Sequence, residues 1–116
     1  MMERMDCLFC KIVKSEITAQ RVYEDESCIA FSDIHPQAPV HLLLIPRKHI
    51  ASLVDVSTED KELVGHLVLT ATALAAKQNL AKGFRVVINT GEEGGQTVDH
   101  LHLHILGGRA MHWPPG

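Results

Sequence analysis

Three histidines stand at alternate positions in His100-Leu101-His102-Leu103-His104, followed by Ile105 and Leu106. Side chains alternate across an extended strand, so the spacing predicts three imidazoles on one face, about 6.6 Å apart, with Leu101, Leu103 and Ile105 entering a core on the other. A solvent-facing strand needs polar residues at alternate positions, and a single histidine there would carry no message. Three in succession do, because clustered imidazoles repel when protonated. Two chemistries could use them. A metal held by three histidines could activate water. Alternatively, a neutral imidazole could attack phosphorus while its neighbours hold the phosphoryl oxygens. Asn89, Gly91, Gly94, Gly95, Gln96 and Thr97 lead into the row. They supply backbone donors, an amide and a hydroxyl suited to phosphate, although no Gly-Lys-Ser/Thr of a Walker motif follows.

A second group is Cys7-Leu-Phe-Cys10. Without a thioredoxin-like context this spacing points to two thiolates sharing a tetrahedral Zn²⁺, which needs two further ligands. The competing reading is two buried free thiols. Cys28 has no partner in sequence and is expected in the core.

The elements that must position these groups fit one α+β unit. The chain has 116 residues, 14 acidic and 11 basic side chains, eight histidines and a formal charge of −3, enough for one core and too little for two. Scattered Lys and Arg argue against a nucleic-acid or anionic-membrane partner. No apolar run approaches a membrane span, and no secretory pattern opens the chain, so a cytoplasmic protein is expected. Apolar spacing predicts a short helix over Cys7 to Glu16. Strands are expected at Arg21 to Asp25, Cys28 to Asp33, Val40 to Pro46, Phe84 to Asn89 and His100 to Leu106. Val40 to Pro46 reads as buried on both faces. Ser57-Thr-Glu-Asp60 resembles a capping box, and Gly83 a stop, for a long helix of about 37 Å. Short connections favour antiparallel pairing.

The histidine row resembles the His-x-His-x-His motif of the histidine-triad family. The stretches Asp33-Ile-His-Pro-Gln-Ala-Pro-Val-His41, Gly94-Gly-Gln-Thr97 and Gly107 to Gly116, ending Met-His-Trp-Pro-Pro-Gly, are similar to its Hint branch, the purine nucleoside phosphoramidases. The likeness runs from about Cys7 to the last residue, treating 1–116 as a single domain with 107–116 as its tail. It implies a five-stranded antiparallel sheet with one long and one short helix per protomer, sheets joined across a homodimer, and hydrolysis of P–N bonds in nucleoside 5′-monophosphoramidates through a nucleotidyl-histidine.

Carried over by position, the resemblance makes His102 the nucleophile, His104 and His41 the phosphate contacts, and His100 the member that orients His102. Asp33 matches the carboxylate for the ribose hydroxyls, and Asn89, Gln96 and Thr97 match contacts to phosphate and leaving group. Leu8, Phe9, Ile12, Phe31, Ile34 and Leu43 match an apolar purine slot. Many members of the branch have Ser where this chain has Thr97, whose extra methyl restricts the hydroxyl. Trp113, the single tryptophan, sits in the tail and is expected to dock on a partner surface. In a bacterial subset and in related uridylyltransferases, a Cys-x-x-Cys zinc site is completed by residues matching His49 and His100, which implies a structural Zn²⁺ on Cys7, Cys10, His49 and His100. The alternatives are a three-histidine metallohydrolase, a dinucleoside polyphosphate hydrolase of the same family, and a nucleotide-binding module with little turnover.

Overall fold

The computed structural model describes residues 7–116. Its elements are α1 (Leu8–Val13), β1 (Arg21–Glu24), β2 (Cys28–Ser32), β3 (Val40–Pro46), two 3₁₀ turns (Leu53–Asp55 and Thr58–Asp60), α2 (Lys61–Lys77), β4 (Phe84–Val87) and β5 (Leu103–Gly107). The five strands form one sheet in the order β1-β2-β3-β5-β4, and every pairing is antiparallel. The α+β expectation, with one long and one short helix, holds. Among the described residues no helix is long and apolar enough to cross a membrane.

The sheet buries both faces, which explains why β3 reads as a continuous apolar run: Leu42 to Ile45 are all buried. On one face Leu67, Ala71, Leu74 and Ala75 of α2 pack on Ala30, Leu42, Leu44, Leu103 and Ile105. On the other, Phe9, Cys10 and Ile12 of α1 cover Ile29, Phe31, Leu43 and Ile45. Adjacent residues of β2 and β3 thus serve opposite cores, as the two-residue period of a strand requires.

The long helix is shorter than its spacing predicts. Ser57 and Asp60 do form a capping box, but it opens a 3₁₀ turn that runs into α2. Helical structure ends at Lys77, giving 17 residues and a length of about 26 Å at the usual rise. The terminator is Asn79, in the left-handed region at φ 61°, with the Leu80 N–H returning to the Ala75 carbonyl at 3.1 Å. This is a Schellman closure with Asn in the place glycine usually takes. Gly83, expected as the stop, instead lies at φ 127° in the turn that enters β4.

The last strand also departs from expectation. Ladder pairing begins at Leu103, so His100 and His102 precede β5. The segment is nonetheless tied down, because the Leu101 N–H donates to the Ile50 carbonyl at 2.7 Å. Alternation survives this change: Leu101, Leu103 and Ile105 all enter the α2 core. Likewise β4 ends at Val87, leaving Asn89 in the connection rather than in a strand.

Candidate functional site

The histidine row divides between two neighbouring sites on the α1 face. His100 is fully buried and His102 is buried; His104 is partly open. The three do not aim at a common point, since each ring has a different partner.

His102 is the simplest to read. Its Nδ1–H donates to the backbone carbonyl of His100 at 2.6 Å. That bond fixes the proton on Nδ1 and leaves the Nε2 lone pair free, the tautomer a nucleophile or base needs. Phe9 holds the ring edge-on with centroids 5.1 Å apart. His102 and His104 both line a cavity of about 600 Å³, together with Leu8, Phe9, Ile12, Phe31, Asp33, Ile34, Leu43 and Thr97.

His41 and His104 form a pair. The Gln37 N–H donates to His41 Nδ1 at 3.0 Å, and His41 Nε2 lies 2.9 Å from His104 Nδ1. A peptide N–H can only donate, so His41 carries its proton on Nε2 and gives it to His104. His104 must then carry its own proton on Nε2, as a hydrogen-bond donor. Burial, reinforced by His102 and His41, pushes His104 down to about 4. Burial likewise lowers His41, against the opposing pull of Asp33. The Asp33 carboxylate stands 3.4 Å from His41 Nε2 and with its other oxygen accepts the His35 N–H at 2.8 Å.

His100 turns away from the cavity. Its Nδ1 is 3.3 Å from Cys7 Sγ, 3.6 Å from Cys10 Sγ and 3.2 Å from His49 Nδ1; Cys10 Sγ is 3.2 Å from His49 Nδ1. All four donor atoms lie within 4.8 Å of one another and all four residues are buried. For Zn–N near 2.0 Å and Zn–S near 2.3 Å, a tetrahedral shell places neighbouring donors ~3.3–3.8 Å apart, so the set is close to the size a zinc ion requires. Two further features suit a metal. The Pro46 carbonyl is 2.9 Å from His100 Nε2, where it accepts that nitrogen's proton and leaves Nδ1 as the donor atom. Cys7 caps α1, its sulfur accepting the Cys10 N–H at 3.3 Å, which fixes the sulfur beside the other donors. The four residues can hold a metal ion, and zinc fits their chemistry. The only triad member gathered with donors elsewhere is His104, beside Asp33 and His41; the three triad rings do not form one such group among the described residues.

The remaining expected residues are placed less uniformly. Thr97 lines the cavity, whereas Asn89, Gln96 and Trp113 do not. Gln96 instead clamps the glycine turn: its amide donates to the Ala51 carbonyl at 2.7 Å and the Val98 carbonyl at 3.0 Å, and its oxygen accepts the Gly91 N–H at 3.0 Å. Within that turn Gly94 is required by close approach, because a Cβ there would run into the Thr90 carbonyl oxygen. Trp113 is 84% exposed, and the tail is held by the Arg85 guanidinium on the His112 carbonyl at 2.8 Å. Ile34, expected in the apolar slot, sits at its rim with 86% exposure.

Ile17, Thr18, Ala19, Gln20, Ser32, His35 and Val98 also line the cavity and were not expected there. Several lie in connections where neither helical nor strand period marks a side chain's direction. The Gln37 N–H and the Pro46 carbonyl are backbone groups and carry no signature in sequence at all. His66 of α2 is 2.7 Å from Asp25 Oδ2, tying α2 to the turn after β1. That carboxylate also accepts Tyr23 O–H at 2.7 Å and Cys28 Sγ–H at 3.4 Å.

Comparison with known proteins matches residues 14–111 to the HIT domain family. An uncharacterized HIT-like protein of Synechococcus elongatus is 56% identical over 111 residues, covering 96% of this chain and 97% of its own. A solved HIT family hydrolase from Legionella pneumophila is 53% identical with TM-score 0.94, covering 96% of this chain and all of its own. A histidine triad protein from Clostridium difficile is 45% identical with TM-score 0.90, covering 95% and 96% respectively.

Proposed function

Since the chain belongs to the HIT domain family, we propose that it is a hydrolase that cleaves the P–N bond of purine nucleoside 5′-monophosphoramidates through a nucleotidyl-His102 intermediate. The observation that carries this reading is the His102 ring, which lines the cavity and is held by the His100 carbonyl with Nε2 unprotonated. His102 Nε2 attacks phosphorus, the P–N bond breaks, and the amine departs with a proton. Water then attacks the same phosphorus, releasing the nucleotide and returning His102. His104 presents its Nε2–H to a phosphoryl oxygen, with His41 behind it, and Thr97 places its hydroxyl on the leaving-group side. Asp33 receives the ribose hydroxyls. Leu8, Phe9, Ile12, Phe31 and Leu43 enclose the base, with Ile34 at the mouth. Asn89, Gln96 and Trp113 serve the site indirectly, through the turn and the tail.

Zn²⁺ on Cys7, Cys10, His49 and His100 is structural in this scheme; when bound it cross-links α1 to the segment preceding β5. The reaction itself needs only imidazole chemistry. A second copy of the chain completes the molecule as a homodimer. The edge strand β4 leaves Phe84 and Val86 about 40% exposed, beside a groove that it forms with Gly108 to Met111, and pairing two such edges would join the sheets.

Mixing the protein with adenosine 5′-phosphoramidate and quenching within one turnover should trap one adenylyl group per chain, visible by mass. His102→Ala should abolish the adduct and lower turnover by at least ~10³-fold, the scale for removing a nucleophile, while AMP still binds. Undiminished turnover in the variant would defeat the reading. Nucleotide binding without turnover in the wild type would favour a binding module instead.

A further inference from the structure

The cavity has an unusual charge inventory for a place that meets a phosphoryl group. Among the described residues lining it there is no lysine or arginine, and its single carboxylate is Asp33. Its other titratable groups are imidazoles: His102, His104 with His41 behind it, and His35 on the loop before β3.

Asp33 is placed to act on that pair. One oxygen is committed to the His35 N–H at 2.8 Å, which by itself explains an aspartate in this turn. The other stands 3.4 Å from His41 Nε2, with the two side chains 17% and 4% exposed. That nitrogen bears the proton given to His104 Nδ1 at 2.9 Å. The carboxylate therefore stands beside the His41–His104 hydrogen bond, whose direction the Gln37 N–H sets.

We infer that Asp33 is a positioning residue for the His41 and His104 pair: its carboxylate, beside the His41 Nε2–H, stabilises electrostatically the tautomer that the Gln37 N–H selects and with it the His104 Nε2–H that meets the phosphoryl group. This goes beyond contact with the sugar and rests on the phosphoryl chemistry proposed above. The electrostatics agree with the geometry. Burial disfavours a cation on either ring, His102 and His41 add to it at His104, and Asp33 is the group that opposes these effects at both. The titratable groups that act on the pair are His102 from the segment before β5 and Asp33 from the β2–β3 connection.

The test compares wild type, Asp33→Asn and Asp33→Glu on adenosine 5′-phosphoramidate and on its 2′,3′-dideoxy counterpart, which has no ribose hydroxyls. Asp33→Asn should lower kcat by ~10–100-fold, the range for removing a partner that orients a functional histidine, and on both substrates alike. Its acid limb should move to lower pH, because removing a carboxylate lowers the pH at which the neutral pair takes up a further proton. Asp33→Glu should restore part of kcat. In the free protein, ¹⁵N spectra should show His41 and His104 as single Nε2–H tautomers in the wild type, and a minor Nδ1–H population beside them in Asp33→Asn. A rise in KM alone, absent with the dideoxy substrate and with unchanged ¹⁵N spectra, would overturn the inference and leave Asp33 as a sugar contact. If wild type turns over neither substrate, the proposed function falls, and the ¹⁵N spectra still decide the role of Asp33.

Discussion

The two faces of the sheet are built from the same strands by different means. Toward α2 the contacts are aliphatic, and Ala30, Leu44, Ala71 and Ile105 are fully buried among side chains of their own kind. Toward α1 the sheet packs Phe9 and Phe31 against a row of imidazoles whose orientation is set by backbone carbonyls and amides. One face stabilises; the other confines polar groups that burial alone would disfavour. The molecule tolerates the second because the first carries no chemistry, and because alternate residues of one segment divide between them. Leu101 and Leu103 anchor the segment from below while His100, His102 and His104 project above.

That division predicts mutations with separable effects. On the α2 face, Leu67→Ala should cost about 2–5 kcal/mol of stability, as for other fully buried leucines. Denaturant titration would measure it, while nucleotide affinity of the folded protein stays unchanged. An equal loss of affinity would mean that the faces are coupled. On the α1 face, Cys10→Ser should reduce bound zinc from about one per chain to none by metal analysis of reduced protein, the outcome expected when a closed four-donor set loses one member. With zinc at roughly a hundredfold excess over its dissociation constant, the wild type alone should gain about 2–3 kcal/mol. Wild-type protein purified without any metal would remove zinc from the account.

The smallest effect concerns the entry to α2. Asp60 is held below the ordinary carboxylate range, first by the Lys48 ammonium at 2.6 Å and then by the Ser57 N–H at 3.0 Å. A carboxyl lowered by folding contributes its stability above its unfolded value, about pH 4, and loses it as pH falls through the lower folded value. Melting temperature should therefore drop toward acid, and Asp60→Asn should flatten that part of the curve without altering the α1 face.

How much of this was legible in the sequence follows from the same physics. The sheet, the capping box and the double burial of β3 were readable because period and cap residues express them directly. The end of α2 was misplaced because Asn79 adopts a conformation more often signalled by glycine, and the nearest glycine lies four residues on. The start of β5 was misplaced because alternation marks side-chain direction and says nothing about ladder pairing. At the site, residue types and positions were visible, and the roles of particular atoms were not. Sequence left His100 contested between orienting His102 and holding a metal. The folded chain divides the tasks, with the carbonyl facing His102 and the ring facing Cys7, Cys10 and His49. Gln96 shows the opposite limit, since an amide beside a glycine turn looks like a phosphate contact until its hydrogen bonds are seen to be spent on the turn.

The contact between Cys7 and His100 joins positions 93 residues apart. During synthesis the first of the four donors emerges long before the last, and closing so long a loop precedes any reward from the contact. The apolar partners of α1, Ile29, Phe31, Leu43 and Ile45, all precede α2, so what the α1 face still lacks at that stage is the histidine segment before β5. A fragment ending after β4 would carry both sulfurs and His49 yet lack His102 and His104 from its cavity lining. Completion of the α1 face thus waits until the segment through His104 has been made.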